Sequence, residues 1–202
     1  MIMSIACAFA VSTLFAALEP LAPCGGKAVQ LVPDAQKKVM NLPTLEERIG
    51  MFLADRKGAK TLKRDKSWRK PLPVWFSWRA TDGETGPWEL TVASKADFSD
   101  ARIDFVPASA KTNAVGETKW MLPRANLEVA ACYYWQVTSF GPKGRKPVKS
   151  EIGVFHTEDF APRWIEIEGR VGNIRDLGGR KTTDGRRVRQ GLVYRGQGLN
   201  DN

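Results

Sequence analysis

Cysteine and histidine are the side chains that most often carry nucleophilic, redox or metal chemistry, and this chain is sparing with both. Its cysteines are Cys7, Cys24 and Cys132, and its single histidine is His156. No two cysteines have the C-x-x-C spacing of a zinc or redox site, and three are too few for a disulfide framework. His156 has no partner at ligand or triad spacing and reads as an ordinary strand histidine. Cys132, inside an apolar stretch, reads as a small buried hydrophobe. No metal or cofactor is expected from these residues. The carboxyl end is more suggestive. There Arg163, Arg170, Arg175, Arg180, Lys181, Arg186, Arg187, Arg189 and Arg195 face only Glu166, Glu168, Asp176 and Asp184. Such a surplus suits phosphate, although a solvated basic face has the same composition. Gly172 to Gly179 is not a P-loop, because Arg180 stands where that motif requires Lys, and Gly196-Gln197-Gly198 lacks the third glycine of a dinucleotide fingerprint.

The order of residues in this stretch says more than its charge. Asn173-Ile174-Arg175-Asp176-Leu177-Gly178-Gly179 is followed by Thr182-Thr183-Asp184-Gly185-Arg186-Arg187-Val188-Arg189 and then by Gly191-Leu192-Val193-Tyr194-Arg195-Gly196. Together they resemble the opening of the bacterial tyrosine/serine protein phosphatases, within the dual-specificity-like cysteine phosphatases. In that family N-x-R-D-x-G-G precedes T-x-D-G-R-x-V-x-x-G-x-x-Y-R-S and leads into a catalytic α/β domain. The three submotifs occur in order over roughly residues 170–199, with Gly196 where the family has Ser.

The resemblance implies hydrolysis of phosphomonoesters on phosphorylated proteins, without metal or cofactor. The family's H-C-x-x-x-x-x-R loop supplies a thiolate that attacks phosphorus, while amides and the arginine hold the phosphoryl oxygens. Six places after Cys7, Cys24 and Cys132 stand Thr13, Gln30 and Thr138, so no cysteine here has its arginine. The chain is therefore expected to be inactive alone, as the truncated front of such an enzyme. A structural role at the entrance to the catalytic domain is implied for Asn173, Arg175, Asp176, Gly178, Gly179, Asp184, Gly185, Arg186, Tyr194 and Arg195, with Arg175 and Asp176 forming a pair.

The elements that would have to position this segment lie upstream. From Leu72 to Thr157 short alternating apolar stretches are separated by turn signals, as in an antiparallel sandwich. Val74, Phe76 and Trp78 alternate, as do Trp88, Leu90 and Val92, while Ile103 with Phe105 and Trp120 with Leu122 mark two further strands. Tyr133, Trp135 and Val137 share one face of the next strand, and Phe155 enters with the last. Leu127, Tyr133-Tyr134-Trp135-Gln136-Val137 and Ser150 to Thr157 resemble a fibronectin type III-like module, with its tyrosine-corner region and closing strand.

Ahead of this region, Thr44 and Glu47 have capping-box spacing, and Leu45, Ile49 and Leu53 repeat on one helical face. Arg56 to Lys70 is strongly basic and reads as a solvated linker, with a polyanion or headgroup patch as the alternative. The stretch from Ile5 to Leu18 is uncharged and has the length of a signal-peptide core, although no Lys or Arg precedes it. Export is the natural reading, with cleavage near Ala16–Ala22, and a buried N-terminal helix is the alternative. Leu21-Ala22-Pro23-Cys24 is similar to a bacterial lipobox, with Pro23 where a small residue is expected.

The chain of 202 residues is basic, with 31 Lys plus Arg against 22 Asp plus Glu, and at 43% hydrophobic it falls in the globular range. Wholesale disorder and a polytopic membrane protein are excluded. The fold is expected to be mainly β: a signal peptide over 1–23, a short helix and basic linker over 24–71, a sandwich over 72–158, and over 159–202 the truncated start of an α/β cysteine-phosphatase domain. A piece that small cannot bury a core of its own, so it is expected to be loose or docked on the sandwich. The expected location is extracytoplasmic. The competing reading is a noncatalytic binding module whose sandwich takes a protein or glycan and whose basic tail grips anionic partners. Membrane attachment would come only through an uncleaved N-terminus or a lipidated Cys24. Nucleic acid is disfavoured, because no recognition helix or stacking platform is visible.

Overall fold

The computed structural model describes residues 18–41, 46–47, 70–81, 86–110, 112–122, 125–141, 146–167 and 174–196. The chain is mainly β. It runs through β1 (Leu18–Ala22), α1 (Asp34–Met40), β2 (Val74–Ala80), β3 (Trp88–Ala93), β4 (Arg102–Val106), β5 (Glu117–Leu122), β6 (Cys132–Ser139), β7 (Val148–Lys149) and β8 (Gly153–His156). Three short strands follow, β9 (Arg163–Trp164), β10 (Arg175–Asp176) and β11 (Tyr194–Arg195). Strands β1-β2-β5 form one antiparallel sheet and β4-β3-β6 the backbone of another, with β7 and β8 both paired to β6.

Alternation along the strands builds the layer between these two sheets, because successive side chains point to opposite faces. Val74, Phe76 and Trp78 of β2 meet Trp88, Leu90 and Val92 of β3, Tyr133, Trp135 and Val137 of β6, and Phe155 of β8, all buried in one cluster. Aromatic rings lock the two layers edge to face: Phe76 lies 5.2 Å from Trp135 and 5.9 Å from Phe155, and Trp78 lies 5.7 Å from Trp88. Each large side chain buried this way stabilises the fold by about 1.5–3 kcal/mol. At the entry to β6, the Tyr133 hydroxyl accepts the Glu128 N–H at 2.9 Å, fixing the corner that leads into the strand. Burial pushes the Tyr133 phenol above its ordinary pKa.

Two expectations shift at residue level. Ile103 and Phe105 do mark a strand, but both face outward, at 60% and 62% exposure, and Val106 is the β4 residue that enters the core. Cys132 is half-buried rather than in the core, because Tyr133 and Trp135 take the inward positions of β6 and leave Cys132 on the other face.

The sheets also draw on residues well ahead of Leu72. Leu18 is fully buried, and β1 runs antiparallel to β2 with Leu18 opposite Ala80, Glu19 opposite Arg79 and Pro20 opposite Trp78. Proline is tolerated there because β1 is an edge strand. Beyond it, Val29 donates to the His156 carbonyl and accepts from the Glu158 N–H, at 2.8 and 2.9 Å. The Glu158 carboxylate accepts the Leu31 and Val32 amides at 2.6 Å each and pairs with Lys37 of α1. Of the helix expected around Leu45, Ile49 and Leu53 only Glu46 and Glu47 are described, both helical, and the basic stretch from Arg56 to Arg69 lies outside the described residues. No helix among the described residues is long and apolar enough to cross a membrane.

Candidate functional site

The basic carboxyl segment is a ribbon and a hairpin laid on one corner of the sandwich. In the ribbon β10 is central, with Arg175 opposite Trp164 of β9 and Arg195 of β11, and Asp176 opposite Arg163 and Tyr194. The strands are shorter than the apolar residues suggest: Ile165 and Ile167 lie beyond β9, and of the stretch from Val188 to Tyr194 only Tyr194 is in a strand. Too few apolar residues face one side for a longer sheet, and Leu192, Val193 and Tyr194 are exposed.

Arg163 and Asp176 form the centre. Their side chains are 5% and 0% exposed. Arg163 donates from Nε and Nη2 to Asp176 Oδ2, at 3.2 and 3.0 Å, and from Nη1 to the carbonyls of Asn126 and Leu127. The same carboxylate accepts the Gly178 N–H on Oδ1 and the Gly191 N–H on Oδ2, both at 2.9 Å. Burying a charge is costly unless it is paired and hydrogen-bonded, and here both ions have partners. One carboxylate thus gathers the linker after Pro162, the turn at Gly178 and the return at Gly191, while its arginine grips the sandwich.

The expected partner of Asp176 was Arg175. As neighbours on a strand the two side chains leave from opposite faces, and the Arg175 guanidinium lies 5.2 Å from the centre of the Trp164 ring instead. This corrects the pairing.

Both glycines of the motif are demanded by geometry, for different reasons. A Cβ on Gly178 would sit 2.4 Å from the Arg189 carbonyl oxygen, so the backbone crossing there leaves it no room. Gly179 has φ +82°, a left-handed conformation that favours glycine, and its Cβ would also meet Val129. From Gly179 the chain makes a hairpin. The Gly179 N–H donates to Val188 and the Val188 N–H to Arg180, and the tip closes through Thr182 N–H to Arg186. At the tip the Asp184 carboxylate accepts from Thr182 Oγ1 and from Arg186 Nε, and these bonds, the threonine's first, hold its pKa below the ordinary value. Gly185 there has φ +81°.

Side chains that the motif did not single out complete the docking. Gln190 accepts the Val129 N–H and donates to the Val129 carbonyl, at 2.9 and 3.0 Å. Asn126 does the same with Glu166, at 2.8 Å in both directions. Asp159 receives Arg187 and Lys181, whose hydrogen bonds, the arginine's first, lower its pKa. These contacts join residues tens of positions apart, and no local spacing announces them.

The expected site residues therefore form two groups. Arg175, Asp176, Gly178, Gly179, Tyr194 and Arg195 belong to the ribbon and its turn, whereas Asp184, Gly185 and Arg186 make the exposed hairpin tip. Asn173 lies outside the described residues. Among the described residues no group of three or more His, Cys, Asp or Glu side chains is placed to hold a metal ion. His156 is exposed on β8.

A tyrosine phosphatase family model matches residues 165–202, which takes in the ribbon from Ile165 onward and the whole hairpin but none of the sandwich. No curated protein and no solved structure matches the chain.

Proposed function

We propose that this chain is the N-terminal portion of an exported protein-tyrosine/serine phosphatase-like protein, in which a fibronectin type III-like module carries the first strands of the phosphatase domain as a fixed part of its surface. The observation that carries the reading is the coincidence of the phosphatase family match with the segment built around Asp176. The fibronectin type III-like identity is supported by the sheet order, β1-β2-β5 against β4-β3-β6-β8, and by the Tyr133 hydroxyl contact with the Glu128 amide, the corner that such sandwiches share.

On this reading the substrate is a phosphomonoester on a protein. Thiolate attack at phosphorus would release the alcohol and leave a cysteinyl-phosphate, which water would then hydrolyse without metal. The cysteine and arginine of that chemistry come from outside these residues, since none of Cys7, Cys24 and Cys132 has an arginine six places on. The alternative, a basic tail that grips anionic polymers, is disfavoured by the ion pairs. Arg163 is committed to Asp176, Lys181 and Arg187 to Asp159, and Arg186 to Asp184.

The test has two parts. The purified chain is assayed on p-nitrophenyl phosphate, and the coding DNA is read past the codon for Asn202 in all three frames. The expected result is no turnover by this chain and an H-C-x-x-x-x-x-R loop within about one further domain length, on the order of 100–200 codons. Absence of the loop would remove the phosphatase reading and leave the sandwich as a binding module.

A further inference from the structure

Residues Leu18 to Pro23 would be lost from the mature protein if processing followed the lipobox-like sequence, and Leu18 to Ala22 if it cut after Ala22. The structure gives this segment a structural role instead. Leu18 is fully buried in the common core. Strand β1 covers the edge of β2 at four register positions, from Leu18 opposite Ala80 to Ala22 opposite Ser77. On the outer face Glu19 pairs with Arg79 at 2.7 Å. The Pro23 carbonyl accepts the indole N–H of Trp135, the central core residue of β6, at 2.7 Å, and the Gly25 N–H donates to the Val154 carbonyl of β8 at 2.7 Å. The segment therefore touches both sheets and closes one side of the core.

We propose that Leu18–Cys24 is retained in the mature protein: any hydrolysis of the N-terminal segment falls ahead of Leu18, and Cys24 is never the acylated first residue. Removing the segment would uncover the β2 edge, leaving a row of unpaired N–H and C=O groups and a ready template for aggregation. It would also strand the buried Trp135 indole without its acceptor, a loss that costs the full desolvation of that group. The Cys24 thiol lies at the exposed end of this segment and faces the Pro20 carbonyl within it. The inference holds whether or not the chain is exported, because it concerns what the folded domain contains.

The full-length chain, expressed in a bacterial host able to export and acylate proteins, is purified and its first residue determined by N-terminal sequencing and intact mass. A first residue anywhere from Met1 to Leu18 is expected, with no added acyl mass. A chain beginning between Glu19 and Cys24, or an acylated Cys24, would overturn the proposal. Fractionation of the same cells tests the export reading separately. In parallel, Leu18→Ala in the full chain is expected to lower the thermal midpoint by roughly 5–15 °C. An unchanged midpoint would mean that β1 is no part of the mature fold, and would also overturn it.

Discussion

Asp176 is the residue on which the carboxyl segment turns, because it is fully buried and its two oxygens accept two guanidinium and two amide hydrogen bonds. Removing one member of such a pair leaves the other charged and buried, at a cost of about 3–5 kcal/mol. Asp176→Ala and Arg163→Ala should each lose that much in urea unfolding. A double substitution to apolar residues of similar volume, Arg163→Met with Asp176→Leu, should lose less than either single change, because no uncompensated charge remains. Equal or additive losses would contradict the paired-charge account. Gly179 and Gly185, both left-handed, make a second contrast. Gly185→Ala meets open space and should cost only the strain of its φ, about 1–2 kcal/mol. Gly179→Ala adds a clash with Val129 and should cost clearly more in the same measurement. Of these facts the sequence carried the motif residues themselves. It could not carry the partner of Asp176, since Arg163 lies thirteen positions away across a strand pairing that only the folded chain creates.

At the level of elements, legibility followed period and length. The alternating residues of β2, β3, β6 and β8 were readable because inward aromatic and β-branched side chains recur every second position. Strands β9, β10 and β11 have two residues each and offer no period to read. Strand β1 was hidden for another reason: its Leu18 continues an apolar stretch that has the length of an export leader, and Pro20 inside it argues against a strand. The element-scale prediction concerns the hairpin's tie to the sandwich through Asp159. Its carboxylate pKa is lowered by Arg187 and Lys181, so the folded form binds its proton more weakly than the unfolded chain. That contribution is present above the unfolded value and is lost as the pH falls through the lower folded one, from about pH 4 downward. In Asp159→Asn the acid-side loss of stability should be smaller than in the parent chain over that range, while stability near neutrality falls slightly. An identical acid limb in the two proteins would show that these ion pairs do not bear on stability.

For the molecule as a whole, of the two arrangements expected of the carboxyl segment, loose or docked on the sandwich, the structure has the docked one. The segment matched by the phosphatase family is held to the Asn126–Val129 corner by Arg163, Gln190 and Asn126, so the sandwich acts as the seat of that segment. A segment this small has no core of its own, and its order depends on that corner. Its outward face, with Leu192, Val193 and Tyr194 exposed, is the part left uncovered. Docking of this kind predicts that the segment and the sandwich open together. The direct test is native-state hydrogen exchange of the full chain, following the amides of Gly178 and Gly191, which donate to Asp176, against the amides of β6. Opening free energies for Gly178 and Gly191 close to those of β6, and their collapse in Asp176→Ala while β6 stays protected, are the results expected here. Rapid exchange at both glycines in the parent chain, beside a protected β6, would contradict the account by showing the segment to be a loose tail.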